Sequence, residues 1–109
     1  MVEGEPRIGE YQEAYVKISQ AIGRGAYSAK ELEIRTGKVR LDHKTTVKHS
    51  VNVWVEKQNG PVYQFLIDQS GQVLCAEKFG KDNKAVGAQP REIENCIKQI
   101  LEALDQDPK

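Results

Sequence analysis

The stretch from Thr45 to Phe79, TTVKHSVNVWVEKQNGPVYQFLIDQSGQVLCAEKF, constrains the fold of this 109-residue chain more than any other. Two turn signals, Asn59-Gly60-Pro61 and Asp68-Gln69-Ser70-Gly71, separate three runs rich in β-branched and aromatic residues whose polarity alternates at a period of two. The pattern predicts a meander of antiparallel strands. On either side the period changes. Tyr11, Tyr15, Ile18 and Ile22 fall at i, i+4, i+7 and i+11, one face of a helix that Gly23 stops. In GAQPREIENCIKQILEAL, Pro90 suits a first helical position and Glu92 and Glu94 lie near the positive end of the dipole. Ile93, Cys96, Ile97, Ile100, Leu101 and Leu104 then form one apolar stripe. The expected fold is therefore α+β, with an N-terminal helix, an antiparallel β-meander of four to five strands and a C-terminal helix. One domain spans residues 1–109, with frayed ends at about 1–8 and 105–109.

Residues 28–57 admit two readings. In the first, Glu31 to Asp42 form a hairpin turning at Thr36-Gly37, which sets Ile34 against Val39, Leu32 against Leu41 and Glu33 against Arg40. Residues 46–57 then follow as a strand, with Val51, Val53 and Val55 on one side and Asn52, Trp54 and Glu56 on the other. In the second, SAKELEIRTG is a short helix, and Val47, Val51, Trp54 and Val55, at i, i+4, i+7 and i+8, line a third helix followed by a hairpin from Val62 to Phe79. That order, carried by ELEIRTG and VNVWVEKQNGPVY over about half the chain, resembles winged helix-turn-helix DNA-binding domains. The resemblance implies a DNA-binding regulator in which His43, Lys44, Thr45, Lys48, His49 and Asn52 line the recognition helix. Four valines, two threonines and an asparagine in twelve residues favour the strand.

Within the meander, a two-residue turn at Asn59-Gly60 sets Trp54 opposite Phe65, Glu56 opposite Tyr63 and Asn52 opposite Ile67, while Val53 meets Leu66 on the reverse side. Both faces of the sheet are then partly apolar, and the second needs a cover. Three covers are open: a helix or long loop on each face, a partner or second copy of the chain, or unpaired bases stacked on the aromatic residues.

Charge narrows the choice less than its distribution does. Sixteen basic residues balance sixteen acidic ones, so bulk charge does not mark a polyanion binder. Locally, residues 1–23 carry four acids against two bases and residues 89–109 five against three, whereas residues 24–57 carry eight bases against four acids. The basic excess sits beside the expected aromatic face. Nucleic-acid binding through Arg35, Lys38, Arg40, Lys44, Lys48, His49 and Asn52, with Trp54, Tyr63 and Phe65 as the stacking platform, is accordingly the first functional expectation. A protein-interaction or self-associating, dimeric module using the same face is the second.

The remaining motifs point away from catalysis. His43 and His49 have no Ser, Cys or Asp arranged with them, so no nucleophile-base pair is read and the chain is expected not to be an enzyme. One His-x5-His spacing and two distant cysteines argue against a metal site, and Cys75 and Cys96 read as reduced core thiols. Gly23-Arg24-Gly25 follows a helix, which is the wrong context for a dinucleotide fingerprint, and Phe79 to Ala88 reads as a flexible link rather than a phosphate loop. No cofactor is expected. The N-terminus lacks a basic segment followed by an apolar core, and no run of eighteen apolar residues occurs, so the expectation is a cytoplasmic, soluble protein that does not enter membranes.

Overall fold

A computed structural model describes residues 11–25 and 28–106. Helix α1 (Gln12–Ile22) turns Ala14, Ile18 and Ile22 inward, with Tyr11 and Tyr15 packed alongside. It ends at Gly23, whose φ of 87° takes the chain out of the helix while its N–H donates to the Ser19 carbonyl at 3.2 Å. Six strands follow: β1 (Ala29–Ile34), β2 (Gly37–Asp42), β3 (Ser50–Lys57), β4 (Val62–Asp68), β5 (Val73–Phe79) and β6 (Ala85–Gly87). They form one antiparallel sheet in the order β1-β2-β3-β4-β5-β6, an open meander. Helix α2 (Pro90–Gln106) closes the fold.

Both helices lie on the same face of the sheet. The buried residues of α1, and Ile93, Cys96, Ile97 and Ile100 of α2, join Leu32, Val39, Leu41, Val51, Val53, Val55, Tyr63, Phe65 and Ile67 in one core cluster. Lys17 of α1 reaches Asp105 of α2 at 3.4 Å. The fold class is thus the α+β arrangement expected, with six strands rather than four or five. The addition is β6, in the segment read as a plain link: Glu77, Lys78 and Phe79 pair with Gly87, Val86 and Ala85. The winged-helix alternative is overturned, since residues 29–57 hold three strands and no helix. Its fourfold apolar spacing coincides with strand alternation at Val51 and Val55, and β-branched crowding decides between the two. The fraying expected at 1–8 lies outside the described residues, as do 107–109, and Asp105 and Gln106 complete α2.

Both hairpin registers differ from those expected, with opposite consequences. Between β1 and β2 the turn is Arg35-Thr36, so Leu32 faces Val39, Glu33 faces Lys38 and Glu31 faces Arg40. The displacement from the Thr36-Gly37 turn is two positions along the partner strand, and every side chain keeps its face. Gly37 serves the pairing of β2 with β3 instead. A Cβ there would lie 2.1 Å from the Glu56 carbonyl oxygen, so only glycine lets the strands approach. Thr36 anchors the turn: its carbonyl accepts from Gln58 N–H at 2.7 Å, and its hydroxyl lies 3.0 Å from Gln99 of α2.

Between β3 and β4 the loop has three residues, Gln58 to Gly60, closed by Lys57 N–H donating to the Pro61 carbonyl at 3.1 Å, with Asn59 at φ 57°. Val51, Val53 and Val55 therefore pair with Ile67, Phe65 and Tyr63, while Asn52, Trp54 and Glu56 pair with Leu66, Gln64 and Val62. A slip of one position flips a whole strand face. The membership of the second apolar face changes with it, since Tyr63, Phe65 and Ile67 are 5%, 0% and 0% exposed beneath the helices and Val62 and Leu66 take their side beside Trp54. The physical reason is legible at Pro61. A two-residue turn at Asn59-Gly60 would require an N–H from residue 61 to close the pair with Gln58, and proline has none.

The Asp68 to Gly71 turn forms as expected. The Asp68 carboxylate accepts from Ser70 Oγ at 2.6 Å and from the N–H groups of Ser70 and Gln72, each at 3.0 Å, bonds that hold its pKa below the ordinary value. Gly71 takes φ 87° where a Cβ would lie 2.4 Å from the Gln12 nitrogen, so this turn seats the first residue of α1. Cys75, expected in the core, is exposed. The β4–β5 ladder breaks register between Gln64 and Leu66, and Cys75 sits in that irregularity at φ 51°. Cys96 is buried as expected.

Candidate functional site

With both helices on one side, none of the described elements of secondary structure lies on the opposite face of the sheet. Read across β1 to β5, its middle row is Glu31, Arg40, Trp54, Gln64 and Glu77. The row nearer the β3–β4 loop is Glu33, Lys38, Glu56, Val62 and Phe79, and the row on the other side is Ala29, Asp42, Asn52, Leu66 and Leu74. Trp54, the only tryptophan in the chain, is 37% exposed. Its ring stacks on Phe79 across β4, with centroids 6.1 Å apart and planes 29° from parallel.

A polar relay sets the orientation of the amides on this face. Asp42 is buried on the open side of β2, and its carboxylate accepts from Lys44 N–H at 3.0 Å, Asn52 Nδ2 at 3.3 Å and Arg40 Nε at 3.4 Å. Because Asn52 donates to Asp42, its Oδ1 is left to accept from Gln64 Nε2 at 3.4 Å. Gln64 Oε1 is left without a hydrogen-bond partner among the described residues. Arg40 also reaches Glu31 at 3.4 Å, so its guanidinium is shared between two carboxylates. The segment from His43 to His49 bends over the Asn52 end of the face, with Ser50 Oγ donating to the Val47 carbonyl at 2.6 Å. A concavity of about 470 Å³ opens between that segment and the sheet, bordered by Lys44, Thr45, Asn52, Gln64, Leu66 and Glu77. A second, of about 440 Å³, lies on the β1–β3 side of Trp54 and includes Glu31, Glu33, Lys38, Arg40 and Glu56.

The residues singled out for nucleic-acid contact are divided by this geometry. Lys38, Arg40, Asn52 and Trp54 share the open face. Lys44, Lys48 and His49 are exposed on the segment beside it, and Arg35 is exposed in the β1–β2 turn. Tyr63 and Phe65 point to the helices and leave the proposed platform, for the register reason given above. Phe79, Gln64, Leu66 and Glu77 take their place, none of them anticipated. The signal for them was Pro61 together with the alternation of β4, which puts Val62, Gln64 and Leu66 opposite to Tyr63, Phe65 and Ile67.

Beneath the helices the two polar side chains with the largest shifts do structural work. Tyr63 Oη donates to Glu92 Oε2 at 2.6 Å, Lys78 Nζ approaches the same oxygen at 3.0 Å, and Gln89 N–H donates to Glu92 Oε1 at 3.0 Å. Glu92 thus caps its own helix while fastening it to the sheet. The Tyr63 hydroxyl, the Gln89 amide and the Lys78 ammonium, in that order, pull the Glu92 carboxyl down to about 2. Burial and the adjacent Glu92 carboxylate hold the Tyr63 phenol well above its ordinary value.

Among the described residues no group of three or more His, Cys, Asp or Glu side chains converges as a metal site, and no helix is long and apolar enough to cross a membrane. Comparison with known protein families, curated proteins and solved structures finds no match to this chain.

Proposed function

We propose that this chain is a non-enzymatic binding module that recognises a polypeptide partner on the open face of its sheet. The observation that carries the reading is the placement of Trp54. A tryptophan stacked on Phe79 stands on the one sheet face that neither helix covers, flanked by Val62, Leu66 and Leu74 and by the amides of Asn52 and Gln64. A rigid aromatic anchor within a polar rim is the composition of protein-binding surfaces. The order of the two functional expectations is reversed here because the nucleic-acid platform keeps one of its three aromatic residues. The cation it most needs beside Trp54, Arg40, is shared between Glu31 and Asp42. Nucleic-acid binding stays as the second reading on the exposed cations Arg35, Lys44 and Lys48, with His49 beside them.

Selection of displayed random twelve-residue peptides on the immobilised protein tests the proposal. Enriched peptides are expected to alter Trp54 emission and to lose at least tenfold in affinity against Trp54→Ala. Peptides that bind the variant equally well sink the reading. So does a shift of the β3–β5 amide resonances by a random twelve-nucleotide single strand at low salt when no peptide is enriched.

A further inference from the structure

We infer that the partner segment is basic, and that one lysine or arginine side chain lies over the Trp54–Phe79 pair between the carboxylates of Glu56 and Glu77. This rests on the reading of the open face as a polypeptide-binding surface and adds the chemistry of its ligand.

The register builds the site. Glu56 pairs with Val62 and Val62 with Phe79, while Trp54 pairs with Gln64 and Gln64 with Glu77. Four side chains therefore stand at the corners of a patch two strands wide and two residues long, the aromatic residues on one diagonal and the carboxylates on the other. With strands about 4.8 Å apart and a rise of about 3.4 Å per residue, each diagonal spans about 12 Å between Cα atoms. The rings close theirs to 6.1 Å. The carboxylates are left on either side of a shared aromatic surface, which is an arrangement suited to a cation: the ring faces attract it and the flanking charges neutralise it.

The charge of the whole face points the same way. Its strand residues carry the carboxylates of Glu31, Glu33, Asp42, Glu56, Asp68 and Glu77 against the cations of Lys38 and Arg40 alone. Arg40 is engaged by Glu31 and Asp42, and among the described residues no cation lies within 4.0 Å of the carboxylate of Glu56 or Glu77. Phosphates would be repelled here. A second copy of the chain docked by the same face would oppose Glu56 and Glu77 with their own equivalents. The free acceptor of Gln64, between the two carboxylates, suits a backbone N–H of an incoming chain.

The test is a titration of the intact protein with three synthetic octapeptides of alternating sequence, arginine-glycine, serine-leucine and glutamate-glycine, read by Trp54 fluorescence and by amide chemical shifts. The arginine peptide is expected to bind at least tenfold more tightly than the others and to perturb β3 and β5. The double variant Glu56→Gln, Glu77→Gln should reduce its affinity about tenfold with circular dichroism unchanged. A control pair on the helices, Glu13→Gln with Glu102→Gln, makes the same change in net charge and should alter affinity less than twofold. Equal losses in the two double variants overturn the inference, since attraction would then be diffuse. Tighter binding of the serine-leucine peptide at the same amides also overturns it while leaving the polypeptide reading intact. Silence of the β3–β5 amides toward all three removes both, as does a dimer by light scattering with Trp54 emission shifted on dilution.

Discussion

Replacing Glu92 with glutamine should expose how much of the stability of this fold depends on a single carboxylate between sheet and helix. In the folded protein the Glu92 carboxyl titrates at about 2 against an ordinary value of 4.5, because the Tyr63 hydroxyl, the Gln89 amide and the Lys78 ammonium all favour its charged form. A shift of that size corresponds to a ceiling of about 3 kcal/mol at neutral pH. The Glu92 side chain is 26% exposed and Lys78 35%, so water screens part of the interaction and the expected contribution is about 1–2 kcal/mol. Since the folded pKa is depressed, the stabilisation is complete above the unfolded value near 4.5 and is lost as pH falls toward 2. Glu92→Gln should therefore lower the melting temperature by roughly 5–12 °C at pH 7. The gap between wild type and variant should shrink progressively between pH 4.5 and about 2, measured by urea unfolding across that range. A gap that stays constant with pH would refute the reasoning, because it would assign the loss to packing rather than to charge. Tyr63→Phe, which removes the leading donor and keeps the ring, should show a smaller gap over the same window.

Four further outcomes are expected. Phe65→Ala, at a position with 0% exposure at the centre of the core, should cost about 3–5 kcal/mol by chemical denaturation. Gly71→Ala should cost about 1–3 kcal/mol, because the new methyl meets the Gln12 nitrogen and the φ of 87° is strained for alanine. Thiol titration of the native protein should label Cys75 quickly and Cys96 only on unfolding, since Cys96 is buried and its burial pushes that thiol up. Spectrophotometric titration should leave the Tyr63 phenol protonated at pH 11 in the folded state, and the absorbance change below that pH should be the same in Tyr63→Phe.

The element order was legible because helical and strand periods differ plainly along this chain: the stripe from Ile93 to Leu104 cannot be a strand, and the valines at 51, 53 and 55 turn to one side only in an extended chain. The site was not legible to the same degree, and the reason is parity. Hairpin pairing is determined by loop length, and each unit of error in the sum of paired positions moves a strand to its other face. In the first hairpin the error was two, and Leu32, Ile34, Val39 and Leu41 kept a common face. In the second it was one, and it moved Tyr63 and Phe65 from an imagined platform into the core. The single residue that distinguishes the two outcomes is Pro61, whose missing N–H excludes the tighter turn that Asn59-Gly60 invites.

That same residue decides what the exposed face is chemically. With a two-residue turn, Trp54 would stand among Tyr63, Phe65 and Ile67 beside a basic segment, a surface for stacked bases. With the three-residue loop it stands between Glu56 and Gln64, one diagonal from Phe79 and one row from Glu33 and Lys38. The strands β1 to β3 carry Glu31, Glu33, Asp42 and Glu56 against Lys38 and Arg40 on this face with either loop, and the three-residue loop adds Glu77 next to Gln64. A surface of that kind attracts the side chains of lysine and arginine and repels phosphate, so the function proposed for this chain follows from the length of one loop more directly than from its composition.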